Sequence, residues 1–234
     1  MIRLFTIPGT HSSVKLGFPT YIHAGRLLAD IRSDDVVVRW GNSDPVSARA
    51  AEEGCINNGL VIASNCDKRA ALISMAEVVD TPRLYESFVP VNVKAVVRNY
   101  AHQRGEGFQI IDGRYTIPSG QYATKYINGK EFRSWFFKGK RSLSAMRVRR
   151  SGDDATCRSE WGYGFDVNFA PPEDAIQEAA NAIGLHFGAA DIIQGESDGR
   201  WYFLELNSAP ALDHSKVINF FRSNIEEYYA SRSH

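Results

Sequence analysis

The sequence predicts an α+β protein built in three lobes, and three features carry that reading. Residues 1–65 mix short apolar runs with turn residues, as a small α/β lobe does. From about residue 88 to 150 the chain turns β-rich between glycines, and strands with amphipathic helices follow, which sets lobes at residues 66–128 and 129–234. These three spans are the expected lobes.

Composition bounds the rest. The 234 residues are 44% hydrophobic and 23% charged, enough for a folded core and unlike a disordered, collagenous or coiled-coil chain. Lys+Arg and Asp+Glu both number 27, so no global charge draws the chain to nucleic acid or to an anionic membrane. Three cysteines (Cys55, Cys66, Cys157) form neither an even disulfide set nor a Cys-x-x-Cys pair, which favours the reducing cytoplasm. Pro8-Gly9 interrupts the first apolar stretch, and no uncharged run approaches the roughly 18 residues of a membrane span, so the expectation is a soluble, unprocessed protein.

The elements follow in order. Val36-Val37-Val38 reads as a buried strand ending in Arg39-Trp40-Gly41-Asn42-Ser43. Ser64-Asn65 is the expected N-cap of a helix whose apolar face is Leu72, Met75, Ala76 and Val79, stopped by Thr81-Pro82. Strands are predicted at Val93–Val97, Phe108–Ile111, Gln121–Ile127 and Phe132–Phe137, with turns at Asp112-Gly113, Asn128-Gly129 and Lys138-Gly139. Pro171-Pro172-Glu173-Asp174 opens a helix through Ile176, Ala179, Ala180 and Ile183 that Gly184 closes. Strands near 186–195 and 200–207 precede a last amphipathic helix from about Ser215, with Val217, Phe220, Phe221 and Tyr228 on its apolar face.

The chemistry concentrates in the last strand pair. Alternation puts Glu205 and Asn207 on one face, about 6.6 Å apart along the strand, with Phe203 and Trp201 continuing it. If residues 196–200 connect the strands, Asp191 lies directly opposite Glu205. Three hard oxygen donors then converge, a set suited to Mg²⁺ (or Mn²⁺) beside nucleotide phosphates. A solvent-facing hairpin is the bland alternative, but the strand Trp201–Leu206 is apolar on both faces, and an unpaired Glu205 there would be costly to bury.

These residues resemble a known signature. Leu185-His-Phe-Gly-Ala-Ala-Asp191 followed by Phe203-Leu-Glu205-Leu-Asn207-Ser-Ala-Pro210 resembles the C-terminal "GLDFGAVD … EvNtaPgl" pattern of ATP-grasp enzymes, in the carboxylate–amine ligase branch that includes ribosomal-protein glutamate ligases. The resemblance spans most of residues 38–213: Arg39–Ser43 resembles a short N-terminal motif of one ligase subgroup. Ser64-Asn65-Cys66-Asp67-Lys68 with Thr81-Pro82 is similar to "N…dK…tP", and Ala145-Met146-Arg147 with Cys157-Arg158-Ser159 to "aamkR … frsN".

The resemblance implies an ATP-grasp fold with ATP and Mg²⁺ between the second and third lobes, the metal on Asp191, Glu205 and Asn207. It implies phosphate contacts from Gly105 and Gly107 of the Gly-x-Gly turn and from Arg98, standing where the family has lysine, with Lys94 the competing residue. Lys125-Tyr126-Ile127 would seat adenine, and Arg133 (in Glu131-Phe132-Arg133) and Arg147 would be the catalytic arginines. The implied reaction joins a carboxylate to an amine, each a small molecule, peptide or protein terminus, through an acyl-phosphate, releasing ADP. The chain is short for the family, which leaves the acceptor pocket open or completed by a second copy in a homo-oligomer. Glu160 and His186 depart from the family pattern. From Arg133 to Arg158 eight basic side chains face two acids, an excess of six positive charges expected to form an electropositive wall. Two other functions are open at this point: phosphotransfer without amide formation, and a non-catalytic module in which that basic segment binds nucleic acid or an acidic peptide. His102, His186, His214 and His11 lack ligand or triad spacing.

Overall fold

A computed structural model describes residues 1–8, 11–88, 90–100, 108–149, 161–165 and 170–232. At the N-terminus β1 (Ile2–Thr6) lies between β2 (Thr20–Tyr21) and β3 (Val36–Trp40), parallel to both, with a 3-10 helix (His11–Leu16) and α1 (Ala24–Asp30) in the crossovers. All five residues of β1 and of β3 are buried, as in parallel strands covered on both faces. Phe5 and Val37 pack with Leu27 of α1 and Ala51 of α2 (Arg49–Glu52), whereas Leu4, Val38 and Trp40 join the main core.

Two helices follow, α3 (Gly59–Cys66) and α4 (Lys68–Met75). The expected N-cap at Ser64-Asn65 is corrected here. Both residues belong to α3, which Asn58 caps by accepting from the Leu60 N–H, while Asp67 caps α4 by accepting from Arg69 N–H (3.1 Å) and Ala70 N–H (3.0 Å). Asn65 is spent elsewhere: its buried amide donates to the Leu206 carbonyl at 3.1 Å.

The middle of the chain supplies β4 (Leu84–Tyr85), β5 (Pro90–Asn92), β6 (Ala95–Asn99), β7 (Gln109–Ile111), β8 (Arg114–Thr116) and β9 (Gln121–Lys125). They form an antiparallel sheet ordered β4-β9-β6-β7 and a β5-β8 ribbon. The turn at Asp112-Gly113, with Gly113 at φ +98°, therefore hands the chain from one sheet to another instead of closing a hairpin.

The C-terminal part contains β10 (Gly129–Phe137), β11 (Lys140–Arg149), β12 (Trp161–Gly164), α5 (Glu173–Ile183), β13 (Phe187–Gly195), β14 (Trp201–Asn207) and α6 (Ser215–Arg232). Its antiparallel sheet is ordered β12-β11-β10-β13-β14. Lys138-Gly139 is the expected hairpin turn, but Asn128-Gly129 is not one. Gly129 opens β10 opposite Gly195, where a Cβ would stand 1.9 Å from the Gln194 carbonyl oxygen, so close strand approach explains this glycine. α5 begins after Pro172 and ends at Gly184 (φ +85°), as its sequence predicts.

One face of this sheet buries Phe136, Ala190, Ile192, Phe203 and Leu206 against Leu72 and Met75 of α4 and Ile176 and Ala179 of α5. The other face is divided. Trp135, Phe137, Phe187 and Ala189 pack on Val217, Phe221 and Ile225 of α6 and on the first strands, with Trp40 stacked 4.9 Å from Phe187. The remaining half of that face is charged. Among the described residues no helix is long and apolar enough to cross a membrane.

Candidate functional site

Strand register assembles the charged half. Asp191 on β13 stands directly opposite Arg133 on β10 and Glu205 on β14, so three side chains form one cross-strand row, and Asn207 follows opposite Ala189. The pairing of Asp191 with Glu205 is the one the hairpin arithmetic predicts. One expectation fails just beyond it: the partner of Ile192 is Phe203, so Leu204 is an extra residue, a β-bulge. The bulge reverses the alternation. Phe203, expected beside Glu205, turns with Leu206 into the core under α4 and α5, and Trp201 packs against that same core.

Contacts then fix the row. Arg133 grips Asp191 with both ends of its fork, Nε to Oδ1 and Nη2 to Oδ2, each at 2.7 Å, and Nη1 donates to the Tyr163 hydroxyl at 3.2 Å. Arg147, two residues beyond Arg133's partner Ala145 on β11, donates from Nη2 to Asp191 Oδ1 at 2.9 Å and from Nη1 to Glu131 Oε2 at 3.3 Å. Its Nε is buried without a partner among the described residues. Asn207 Nδ2 donates to Glu205 Oε1 (3.0 Å) and, at 3.4 Å, to Asp191 Oδ2.

Asp191 and Glu205 are only 3% and 6% exposed. Burial pushes the Asp191 carboxyl up, but the charges of Arg133 and Arg147 and hydrogen bonds from Arg133 and Glu205 outweigh it and hold the group well below the usual carboxylate range. Burial likewise opposes the Arg133 charge, and Asp191 reverses that, holding the guanidinium more firmly protonated than usual.

The constellation sets three carboxyl groups (Glu131, Asp191, Glu205) beside two guanidiniums. The electropositive wall is therefore corrected for the described residues. Arg133 and Arg147 are neutralised in place, Lys140 pairs with Glu227 on α6, and Lys138 lies beside His186 at the far end of β10. Arg150, Asp153, Asp154 and Arg158 lie outside the described residues, as do Glu160 and the glycines Gly105 and Gly107.

This donor set suits a divalent cation. Asp191 and Glu205 offer hard carboxyl oxygens, and Asn207, which here turns its Nδ2 to them, carries an amide oxygen of the same kind. Among the described residues no group of three or more His, Cys, Asp or Glu side chains forms a metal cage.

Arg98 belongs to the middle sheet. On β6 it stands opposite the buried Tyr122 of β9. Burial raises the Tyr122 phenol, Arg98 opposes that by charge and by a hydrogen bond, and Glu205 and Asp67 add to the rise. The Arg98 guanidinium lies 5.7 Å from the Phe108 ring. Lys94 instead lies 4.3 Å over the ring of Tyr126. Lys125-Tyr126-Ile127 joins β9 to β10, and the Lys125 and Tyr126 N–H groups are already satisfied by the Arg83 and Lys94 carbonyls.

Tyr163 is the site neighbour that sequence reasoning missed. Its place opposite Arg147 depends on how residues 150–160 return the chain, and no spacing rule gives that register. His186 and His214 accept from the backbone N–H groups of Asn57 and Lys216, as structural histidines do.

A four-stranded and a five-stranded antiparallel sheet follow one another along the chain, and their likeness to solved structures gives the architecture: the chain has the ATP-grasp fold. Among solved structures it is similar to D-alanine–D-alanine ligase from Bacillus anthracis, with a TM-score of 0.67 at 14% identity over 100% of this chain and 99% of that one. It is similar to the ATP-grasp ligase PsnB complexed with its minimal precursor, Mg and ADP (TM-score 0.68, 12% identity, 100% and 97% covered). A protein from Archaeoglobus fulgidus described as of the ATP-grasp superfamily matches at TM-score 0.56 and 12% identity, over 95% and 84% of the chains. No protein-family model matches the chain, and no curated protein matches it significantly in sequence.

Proposed function

We propose that this chain is an ATP-dependent, ADP-forming carboxylate–amine ligase. The observation that carries the reading is the cross-strand row Arg133–Asp191–Glu205, with Asn207 beside it. The lobes we propose are residues 1–65, 66–128 and 129–234. Similarity to PsnB bound to a precursor, Mg and ADP, and to a D-alanine–D-alanine ligase, supports an acceptor that is a peptide or a small amino acid.

In this reading Lys125-Tyr126-Ile127 seats the adenine, and Arg98 with the Gly105–Gly107 turn binds phosphate oxygens. Asp191, Glu205 and Asn207 would hold Mg²⁺, which supplies neutralisation of phosphate charge. Arg133 and Arg147 face the charge that develops as a substrate carboxylate attacks the γ-phosphate to give an acyl-phosphate. An amine then displaces phosphate, forming the amide C–N bond as the acyl C–O bond breaks. The chain's own contribution is positioning and electrostatics, which explains why no nucleophilic side chain lies in the row.

The test is ADP release with Mg-ATP, screened against pooled amino acids and amines. Glu205→Gln should lose at least about a hundredfold in turnover with an unchanged far-ultraviolet spectrum. Unchanged turnover would overturn the metal assignment. A hydroxamate formed on adding hydroxylamine marks the acyl-phosphate, whereas a stable phosphorylated product without amine dependence selects phosphotransfer.

A further inference from the structure

The two arginines on Asp191 are held very differently. Arg133 is anchored at every nitrogen: two contacts of 2.7 Å span both carboxylate oxygens, and Tyr163 accepts from the third nitrogen. Arg147 reaches the same carboxylate by a single nitrogen at 2.9 Å, shares a longer 3.3 Å contact with Glu131, and leaves its buried Nε with no acceptor among the described residues. Both side chains are 11% exposed, so the difference is one of partners and not of depth. A buried guanidinium with a vacant donor is under-satisfied, and it gains by meeting a further anion. Asp191 Oδ1, meanwhile, serves both arginines.

From this asymmetry we infer that Arg147 is a displaceable counter-ion. With no divalent cation bound it compensates Asp191; when a divalent cation is bound by Asp191, Glu205 and Asn207, Arg147 gives up the carboxylate and offers its fork to an anionic group of the substrates. Arg133, locked by the bidentate pair and Tyr163, stays and keeps Asp191 aimed. The inference rests on reading Asp191, Glu205 and Asn207 as a divalent-cation site. It assigns the two arginines distinct duties toward Asp191: Arg133 holds the carboxylate in place in both states, and Arg147 exchanges one anion for another. The physical basis is competition, since a guanidinium and a divalent cation cannot both occupy the same face of one carboxylate at full contact.

Two measurements on the full chain without nucleotide test it. In calorimetric titration with Mn²⁺, Arg147→Met should tighten binding by about tenfold by removing the competing charge, while Arg147→Lys, which keeps the charge, should stay near wild type. In the wild-type protein, phenylglyoxal modification mapped by mass spectrometry should accelerate severalfold at Arg147 when Mn²⁺ is saturating, with Arg133 slow in both states. The second experiment needs no variant, so misfolding cannot mask the result. Equal or weaker Mn²⁺ binding by Arg147→Met, or an Arg147 modification rate indifferent to bound Mn²⁺, overturns the inference while leaving the cation site intact. Mn²⁺ binding by Glu205→Gln that matches wild type overturns the cation site itself, and the inference with it.

Discussion

Arg39 brings a full charge into the interior at 0% exposure. It does so because every nitrogen is met: Nε donates to the Ala51 carbonyl, Nη1 to those of Asn42 and Asp44, and Nη2 to Glu52. The segment after β3 is thus tied down by one side chain, and the Arg39–Ser43 motif is structural at its first position. His186 is the other residue whose surroundings have a consequence. Burial first, and then the charge of Lys138, lower its pKa, and its Nδ1 accepts from the Asn57 N–H. A histidine whose folded pKa lies below its unfolded value contributes stability that is complete above about pH 6.5 and is lost as pH falls through the folded value. The urea midpoint of the wild type should therefore drop further between pH 7.5 and 5.5 than that of His186→Gln. Equal drops would exclude this histidine as a source of the pH dependence.

Elements show which parts of the site were legible in the sequence. The Asp191–Glu205 pair was, because two apolar strands separated by a short polar connection allow essentially one antiparallel register. The bulge at Leu204 was not, since a strand apolar on both faces has no alternation to betray an extra residue. Nor was the partner of Asn65 legible: the carbonyl that claims its amide lies 141 residues further on. Gly129 looked like a turn residue because Asn-Gly is a strong hairpin signal, yet the need for glycine arises from the neighbouring strand. Gly129→Ala should accordingly disturb the β10–β13 edge and cost about 2–4 kcal/mol in chemical denaturation. Gly113→Asn, at an open left-handed position with nothing within 4 Å of the added Cβ, should cost less than about 1 kcal/mol.

For the whole molecule, α4 and its N-cap form the meeting point. Lys68 Nζ donates to the Leu206 carbonyl at 2.6 Å beside Asn65, so the helix pair is fastened to the strand that carries Glu205 and Asn207. Arg69, the next residue, pairs with Glu86 and lies 5.4 Å over the Tyr100 ring, fastening the same helix to the middle sheet. Two sheets are thus referenced to one short helix. Asn65→Ala should speed amide exchange in β14 by about tenfold or more while leaving β1 and β3 protected, because it removes a buried hydrogen bond at that joint alone. Uniform acceleration across all three sheets would contradict a local joint. This arrangement was only partly legible: α4 was visible as an amphipathic segment while the end of α3 passed for its N-cap, and the joint is made of charged and amide side chains that periodicity ignores.

Leu204 gives β14 two phases. Before it, side chains are chosen to fill the space under α4 and α5; after it, they are chosen to present oxygen atoms on the opposite face. Without the extra residue, any sequence drift that slid the apolar stretch by one position would turn the acids into the core. With it, the two halves of a seven-residue strand vary as separate modules, one answering to packing and the other to charge.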